Sequence, residues 1–125
     1  MILQVYNNMG YAIMEKIICS ALYVNTGKPS PARRSYNYPQ TGLVFAGWRH
    51  SDCFVTFEAW RESLDFEIMN EIREIDARGL QGGNQGFLTS TGRYVDRVEA
   101  FAIAKNAGQI ASDKNEGFLT SEDIY

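Results

Sequence analysis

The chain has 125 residues, of which 45% are hydrophobic and 13% aromatic, and its formal net charge is −3. This composition supports one folded domain with a single hydrophobic core and excludes a disordered chain. A negative chain is poorly suited to bind long nucleic acid, because phosphate-binding surfaces are basic. No apolar run is long enough to cross a bilayer and no signal peptide is evident, so we expect a cytoplasmic protein without a membrane partner.

The first segment of the chain has two interpretations. Residues 1–13 precede Met14, which resembles a second natural start, and they contain the turn-forming pair Asn7-Asn8. They form either an extension or an added strand with a turn at that pair, and the sequence leaves both open. In either case we expect residues 1–125 to form a single domain.

The next part of the chain predicts two strands joined by a loop. Residues 16–24 are apolar and are bounded by the turn formers Asn25 and Gly27, which predicts a short buried strand. Residues 25–41 contain all three prolines of the chain and therefore predict a loop. Residues 42–48 predict the second strand.

A long stretch without glycine or proline follows the second strand. It spans residues 53–77, and the preceding Ser51 and Asp52 are favourable N-cap residues. An apolar stripe at helical spacing runs along it, formed by Trp60, Leu64, Ile68, Ile72 and Ile75. The pattern predicts one long helix, or two helices with a break near Ser63, and we interpret the charged side chains as a solvated face.

The pentapeptide GFLTS occurs twice, at residues 86–90 and 117–121. The glycine-rich residues 79–86 predict a turn and lack the ending of a P-loop. The first copy predicts a strand, a turn and then a helix that begins at Asp96 and ends at Gly108. We interpret the second copy as a similar short strand paired with the first, because one shared pentapeptide does not make a repeat architecture. These elements together predict an α+β fold in which an antiparallel sheet carries one long and one shorter helix.

The chain contains two cysteines and one histidine, and it lacks a Cys-x-x-Cys motif. Cys19 and Cys53 are expected to be reduced thiols in the cytosol. Because a structural zinc site needs four cysteine or histidine ligands in most cases, we expect no metal and no cofactor.

Three features in chain order resemble a known group of proteins. They are the strand-like IICSALYV, the Gly47-Trp48-Arg49-His50 element that leads into Ser-Asp-Cys, and the block GFLTSTGRYVDRVEAFAIAKNAGQI followed by a terminal SEDIY. They resemble small phage and prophage proteins, and they are similar to the anti-Thoeris sponges, which sequester the cyclic ADP-ribose isomer made by bacterial TIR-domain immune enzymes. The resemblance covers most of residues 14–125. It implies non-catalytic binding of that isomer or another cyclic nucleotide, in the infected bacterial cell, by a homodimer or larger homo-oligomer with ligand near a subunit interface.

A sponge for such a ligand needs cations for phosphate, a flat ring for the base and polar groups for ribose hydroxyls. The candidate ligand-binding residues are Arg49, His50, Phe87, Arg93, Arg97, Asn106 and Gln109. Alternative roles are an ion pair between Arg49 and Asp52, a pair between Arg97 and Asp96 or Glu99, and a structural role for the lone His50. Further stacking candidates are Tyr36, Tyr38, Trp48 and Tyr94.

Two other functions remain open at this level. A small nucleotide-processing enzyme would use His50 as general base, with an acid from Asp52 or Glu58. A protein-interaction module that inhibits a host factor would use the aromatic residues of the 25–41 loop and the acidic helix.

Overall fold

The computed structural model describes residues 5–6, 12–31, 38–76, 80, 84–110 and 117–124. The elements in chain order are β1 (Val5–Tyr6), β2 (Ala12–Ile13), β3 (Ile17–Pro29), β4 (Thr41–Gly47), α1 (His50–Glu62), α2 (Phe66–Ile75), β5 (Gln85–Thr89), β6 (Tyr94–Asp96), α3 (Arg97–Asn106) and a 3-10 helix at Ser121–Asp123.

Strands β3 to β6 form a four-stranded sheet in the order β4-β3-β5-β6, and every neighbouring pair is antiparallel. Strands β1 and β2 pair only with each other in a separate two-stranded sheet, as far as the structure describes that segment. The predicted α+β fold with an antiparallel sheet is therefore confirmed. The described residues contain three α-helices rather than two, because the predicted long helix is broken.

The two faces of the four-stranded sheet have different surroundings. Opposite residues of an antiparallel pair share a face, and the register places Leu22 opposite Phe45 and Ser20 opposite Phe87. We call their side the inner face, because it packs against the helices. The opposite side is called the outer face, and its residues are Cys19, Ala21, Tyr23, Val44, Ala46, Gly86, Leu88 and Tyr94, with Asp96 at the β6 edge.

The hydrophobic core consists of two clusters on the inner face. The first cluster joins β5 and β6 to α3 and contains Ile17, Phe87, Val95, Ala100, Ile103, Ala104 and Leu119. The second cluster joins β3 and β4 to α1 and α2 and contains Leu22, Val24, Phe45, Cys53, Phe57, Ile72 and Leu80.

Helix α1 begins earlier than the sequence predicts. Its N-cap is Arg49, and Asp52 in the first turn accepts a hydrogen bond from the backbone N–H of Arg49 at 3.1 Å. The prediction of Ser51 or Asp52 as N-cap was wrong, because Asp52 caps the helix from inside its first turn.

The predicted break near Ser63 is confirmed. The Ser63 hydroxyl donates to the carbonyl of Trp60 at 2.6 Å, and the side chain of Asp65 accepts a hydrogen bond from the N–H of Ile68 at 2.9 Å. These bonds end α1 and begin α2, since Asp65 is the N-cap of α2.

Strand β3 is longer than predicted and continues through Asn25 and Gly27 to Pro29. The register is irregular between Val24 and Pro29, and Gly27 has a φ of 73°. The strand prediction ended too early because these turn formers make local bonds within an irregular strand: the Gly27 N–H donates to the Asn25 side chain at 3.0 Å. The loop prediction for 25–41 is therefore wrong at 25–29, and its residues 32–37 lie outside the described part of the chain.

The first GFLTS copy folds as predicted. Strand β5 leads through a turn at Gly92 into β6, and the Asp96 side chain accepts the N–H of Glu99 at 2.8 Å to begin α3. Gly108 has a φ of 72° one residue after the C-cap Ala107, which is the predicted C′ position.

The second GFLTS copy does not form a strand, so that prediction was wrong. It turns at Gly117, where φ is 79°, and then enters the 3-10 helix. Leu119 is fully buried in the first core cluster, and its N–H donates to the carbonyl of Arg97 at 2.8 Å. In the first copy it is Phe87 that is fully buried, whereas the equivalent Phe118 is 41% exposed. The two copies therefore bury different side chains, and the first forms a strand whereas the second leads into a 3-10 helix.

Candidate ligand-binding cleft

Arg93 lies in an ion-pair cluster. Its Nε donates to Glu15 Oε2 at 2.8 Å, and its Nη2 donates to Glu15 Oε1 at 2.7 Å. Its Nη1 donates to Glu99 Oε1 at 2.9 Å. Thr89 and Thr91 also donate their hydroxyls to Glu15. The guanidinium is therefore engaged by two carboxylates, and a ligand would have to displace one of them.

Glu15 is charged although it is buried. Burial alone raises the pKa of Glu15, but the hydrogen bonds from Arg93, Thr89 and Thr91 outweigh it and hold the pKa below its ordinary value. The same bonds explain why a carboxylate with only 4% of its residue surface exposed is tolerated. The sequence pattern gave no indication of Glu15, because its partners lie far along the chain.

His50 and Phe87 meet inside the core. Their rings pack edge to face with centroids 5.0 Å apart, and Phe87 is fully buried. His50 Nε2 lies 2.8 Å from the carbonyl oxygen of Gly86. Because a carbonyl only accepts, Nε2 carries a proton and donates it to this bond. Burial lowers the pKa of His50, the bond to Gly86 offsets part of that effect, and the charge of Arg97 lowers the pKa further.

Gln109 binds the backbone at the start of β3, where β4 does not pair with it. Its side-chain oxygen accepts the N–H of Ile17 at 2.8 Å, and its side-chain nitrogen donates to the Ile17 carbonyl at 2.8 Å. The turn after α3 sets this position: the Gln109 N–H donates to Ala104 and the Gly108 N–H to Lys105, which is a Schellman motif. The side-chain amide of Gln109 thus makes the two hydrogen bonds to Ile17 that the backbone of a neighbouring strand would otherwise make.

The other candidates are spread over the molecule. Asn106 is exposed at the C-terminal end of α3, whereas Arg97 begins that helix. At about 1.5 Å per residue, the two positions are roughly 13 Å apart along the axis. Arg49 is exposed at the start of α1, where its backbone N–H bonds to Asp52. The structure brings His50 and Phe87 into contact, and the charge of Arg97 acts on His50, whereas Asn106 lies at the opposite end of α3 from Arg97.

Arg97 lines a cleft of about 440 Å³ at the point where β6 passes into α3. The other lining residues are Tyr23, Asn84, Gln85, Tyr94, Asp96, Val98 and Phe118. The Arg97 guanidinium lies over the Phe118 ring at 5.6 Å from its centroid. Within the described ranges it forms no ion pair, since Glu99 pairs with Arg93 and Asp96 caps α3. The alternative pairing of Arg97 with Asp96 or Glu99 is thus not observed.

Tyr23 and Tyr94 form the floor of this cleft on the outer face. Their rings contact with centroids 5.7 Å apart. The Tyr94 hydroxyl donates to the Asn84 carbonyl and the Tyr23 hydroxyl to the Thr41 carbonyl, each at 2.8 Å. Burial raises the pKa of both phenols, so both stay neutral donors at physiological pH. The hydroxyls are thus held by backbone carbonyls, and the rings line the cleft.

The cleft contains residues that the sequence did not indicate. Tyr94 and Arg97 were candidates, whereas Tyr23, Asn84, Gln85 and Phe118 were not. Phe118 was missed because the second GFLTS was interpreted as a strand, and only the fold places it beside Arg97. Of the other stacking candidates, Tyr36 lies outside the described residues, and Trp48 lines a different pocket.

A family model described as phage T4 y16D protein matches residues 16–125. The chain belongs to this family. The family match includes the four-stranded sheet, the three α-helices and the whole cleft around Arg97, whereas β1 and β2 precede it. No curated protein and no solved structure matches the chain.

Membership of the T4 y16D family makes this a phage protein. Across the ranges that the structure describes, no helix is long and apolar enough to span a bilayer. The same ranges contain no group of three histidine, cysteine, aspartate or glutamate side chains placed to hold a metal ion.

Proposed function

We propose that this phage protein binds a small cyclic nucleotide in the Arg97 cleft and sequesters it without chemical turnover. The ligand class is the cyclic ADP-ribose isomer of bacterial TIR-domain immunity, or another cyclic nucleotide. The choice of ligand rests on the anti-Thoeris resemblance, and the choice of site rests on the shape and lining of the cleft. Membership of a phage family is compatible with a role against bacterial immunity.

The observation that carries the proposal is the position of Arg97. Its charge lies at a concave surface beside three aromatic rings, those of Tyr23, Tyr94 and Phe118. A guanidinium binds phosphate oxygens with a planar fork, and aromatic faces stack on a base. The volume of about 440 Å³ lies within the usual range of small-ligand pockets.

The surroundings of the catalytic candidates support binding rather than turnover. His50 is buried and donates Nε2–H to Gly86, so in the neutral ring the lone pair lies on Nδ1 and the ring orientation is fixed by a backbone contact. Asp52 caps α1, and Glu58 forms an ion pair with Arg61. His50 and both candidate acids of the enzyme alternative are therefore engaged in structural contacts.

The test is capture and release of a defined probe. The purified protein is mixed with the cyclic ADP-ribose isomer from an activated TIR enzyme, free ligand is removed, and the denatured protein is analysed by mass spectrometry. We expect the intact isomer to be released. A cleaved product would replace the sponge by an enzyme, and an empty protein, with cyclic AMP as second probe also unbound, would overturn the proposed function.

A matched pair of variants tests the site itself. Arg97→Met removes the cleft cation, and we expect at least a tenfold loss of affinity. Lys105→Met is the control, because Lys105 lies on the same helix over the Phe101 ring at the same 5.6 Å. Equal binding by wild type and Arg97→Met would place the ligand elsewhere while leaving sequestration intact.

A second candidate function is inhibition of a host protein by surface contact. One observation favours it: Phe66 at the start of α2 is 74% exposed and stands beside Glu67 in an acidic helix. Exposed aromatic residues are frequent anchors of protein interfaces. A host protein that co-purifies with wild type and is lost with Phe66→Ser would support this function, and no retained protein would exclude it.

A further inference from the structure

The Arg97 cleft contains one carboxylate among its described lining residues, that of Asp96. Asp96 is the N-cap of α3, and its Oδ1 accepts the backbone N–H of Glu99 at 2.8 Å. Within the part of the chain that the structure describes, its Oδ2 forms no hydrogen bond and no ion pair. The cap bond thus holds the carboxylate in place and leaves one of its oxygens open as an acceptor.

Asp96 and Arg97 are adjacent in sequence, yet they form no ion pair with each other in the described ranges. The Arg97 guanidinium lies over the Phe118 ring instead, 5.6 Å from the ring centroid. Consecutive Cα atoms are about 3.8 Å apart, so the two side chains can bind neighbouring groups of one molecule. That molecule carries hydrogen-bond donors next to an anion, because a carboxylate accepts and a guanidinium donates.

The Tyr94 ring lies beside this pair and provides a fixed flat surface at the cleft floor. A Cβ at Gly86 would lie 2.6 Å from Tyr94 Cζ, so the ring passes over that glycine. The Tyr94 hydroxyl donates to the Asn84 carbonyl at 2.8 Å, which fixes the far end of the ring. Asp96 is the β6 partner of Gly86 and therefore flanks the site that the ring covers.

We propose that Asp96 accepts hydrogen bonds from the vicinal hydroxyls of a ribose, so that the cleft selects nucleotides that keep a free cis-diol. The base stacks on the Tyr94 ring, the sugar hydroxyls bind Asp96, and the phosphate binds Arg97. This order along the chain repeats the covalent order of a nucleotide, in which the ribose joins the base to the phosphate. The inference rests on the proposed function, because it names the sugar chemistry of the ligand in the same cleft.

The position of Asp96 favours sugar hydroxyls over the other donors of an adenine nucleotide. The amino group of adenine lies on the side of the base away from the sugar, and so away from a phosphate at Arg97. The ribose hydroxyls and the phosphate are attached to one sugar ring, which fits two adjacent residues. A carboxylate that binds ribose hydroxyls is a recurrent feature of nucleotide sites.

The neighbouring polar side chains of Asn84, Tyr23 and Tyr94 are already bonded within the protein. The Asn84 amide donates to Asp76 Oδ2 at 3.0 Å, and both tyrosine hydroxyls donate to backbone carbonyls. Asp96 is therefore the charged acceptor that the cleft offers to a sugar. Since a hydrogen bond to a charged acceptor is stronger than one between neutral groups, we expect the diol to contribute measurably to affinity.

Isothermal titration calorimetry with AMP and deoxy-AMP tests the inference. The two probes carry the same base and phosphate, and deoxy-AMP lacks one of the two vicinal hydroxyls. We expect the wild-type chain to bind AMP with a dissociation constant on the order of 1 mM. We expect it to bind deoxy-AMP about tenfold more weakly, because a site that hydrogen-bonds a hydroxyl discriminates against the analogue without it.

Asp96→Ser removes the carboxylate and keeps a favourable N-cap residue, so that α3 remains capped. The preference for AMP should disappear in this variant, whereas deoxy-AMP should bind at least as well as before, because a negative charge beside the phosphate is lost. A merely structural role of Asp96 would weaken both probes equally. Asp65→Ser is the matched control, because Asp65 caps α2 through the same bond, from Oδ1 to the N–H of Ile68 at 2.9 Å. It should keep the preference.

Three results would overturn the inference: equal binding of both probes by the wild-type chain, a preference that survives in Asp96→Ser, or no binding of AMP. The cyclic ADP-ribose isomer, titrated in parallel, separates this inference from the proposed function. Capture of the isomer together with any of these results leaves sequestration standing and removes the role of Asp96. An isomer that fails to bind, together with an Asp96-dependent preference for AMP, removes the proposed ligand and retains the sugar contact.

Discussion

Glu15 and Arg93 form a two-pronged ion pair, with Nε–Oε2 and Nη2–Oε1 distances of 2.8 and 2.7 Å. The pair joins Glu15, two residues before β3, to the turn between β5 and β6. It is the least exposed ion pair among the described residues, since the side chain of Glu15 is 2% exposed and that of Arg93 24%. Its energetic role can be separated from that of an ordinary surface pair in the same molecule.

Replacing Glu15 by Gln should lower the free energy of unfolding by about 2–3 kcal/mol, because the partly buried guanidinium loses its charged partner and retains only Glu99. The control is Glu58→Gln, which breaks the Glu58–Arg61 pair, whose side chains are 42% and 37% exposed, respectively. That change should cost less than about 0.5 kcal/mol. Urea unfolding of both variants measures the difference, and equal costs would contradict a structural role for Glu15.

His50 should make stability depend on pH in a defined window. Its pKa in the folded state lies below the ordinary 6.5, so the native protein binds fewer protons than the unfolded chain just below that pH. The free energy of unfolding should therefore fall as pH is lowered from 7.5 to 5.5. His50 is the one histidine of the chain, so His50→Gln should flatten this dependence. Melting temperatures at both pH values test this, and an unchanged slope in the variant would refute the role of His50.

Gly86 is required by the ring of Tyr94. A Cβ at this position would lie 2.5 Å from the Tyr94 hydroxyl and 2.3 Å from the Val95 carbonyl oxygen. Gly86→Ala should therefore destabilise the protein by about 2–3 kcal/mol. Gly92→Ala serves for comparison, because a Cβ at Gly92 meets open space and only the φ of 82° is unfavourable for a side chain. We expect this substitution to lower the free energy of unfolding by about 1 kcal/mol. The prediction fails if thermal unfolding ranks the two variants equally.

Alanine substitutions at Gln109 and Asn106 should have very different effects on the free energy of unfolding, although both residues were candidate ligand residues. Gln109→Ala leaves the N–H and carbonyl of Ile17 without their partners, and we expect a loss of about 1–3 kcal/mol. Asn106→Ala, at an exposed position at the end of α3, should change stability by less than about 0.5 kcal/mol. Denaturant titration of both variants is the measurement, and a neutral Gln109→Ala would show that water replaces the amide.

The elements that the sequence predicted well are those in which all local signals agree. Around β5, β6 and α3, the turn at Gly92, the cap at Asp96 and the stop at Gly108 are each satisfied by neighbours within a few residues. In strand β3 the local signals conflict with the fold, because Asn25 and Gly27 indicate a turn but lie within the strand. The Asn25 N–H instead bonds to Asp76 at 2.9 Å, 51 positions away, which holds the strand in place.

The candidate site was less predictable, because the partners of its residues are distant in sequence. Arg93 and Glu15 are separated by 78 positions, and Gln109 and Ile17 by 92. A pattern of residue types shows which side chains can bind phosphate. It does not show which of them the fold has already engaged. Arg97 is the candidate cation that the fold places at a cleft with aromatic walls.

The division of the core into two clusters has a consequence for how the protein opens. Strand β3 contributes Ile17 to the first cluster and both Leu22 and Val24 to the second, so its amides are protected by both. Helix α2 buries only Ile72 among its residues. We therefore expect native-state hydrogen exchange to divide the molecule: β3 amides exchange only when the whole chain unfolds, while those of α2 exchange through a local opening that leaves the Arg97 cleft intact.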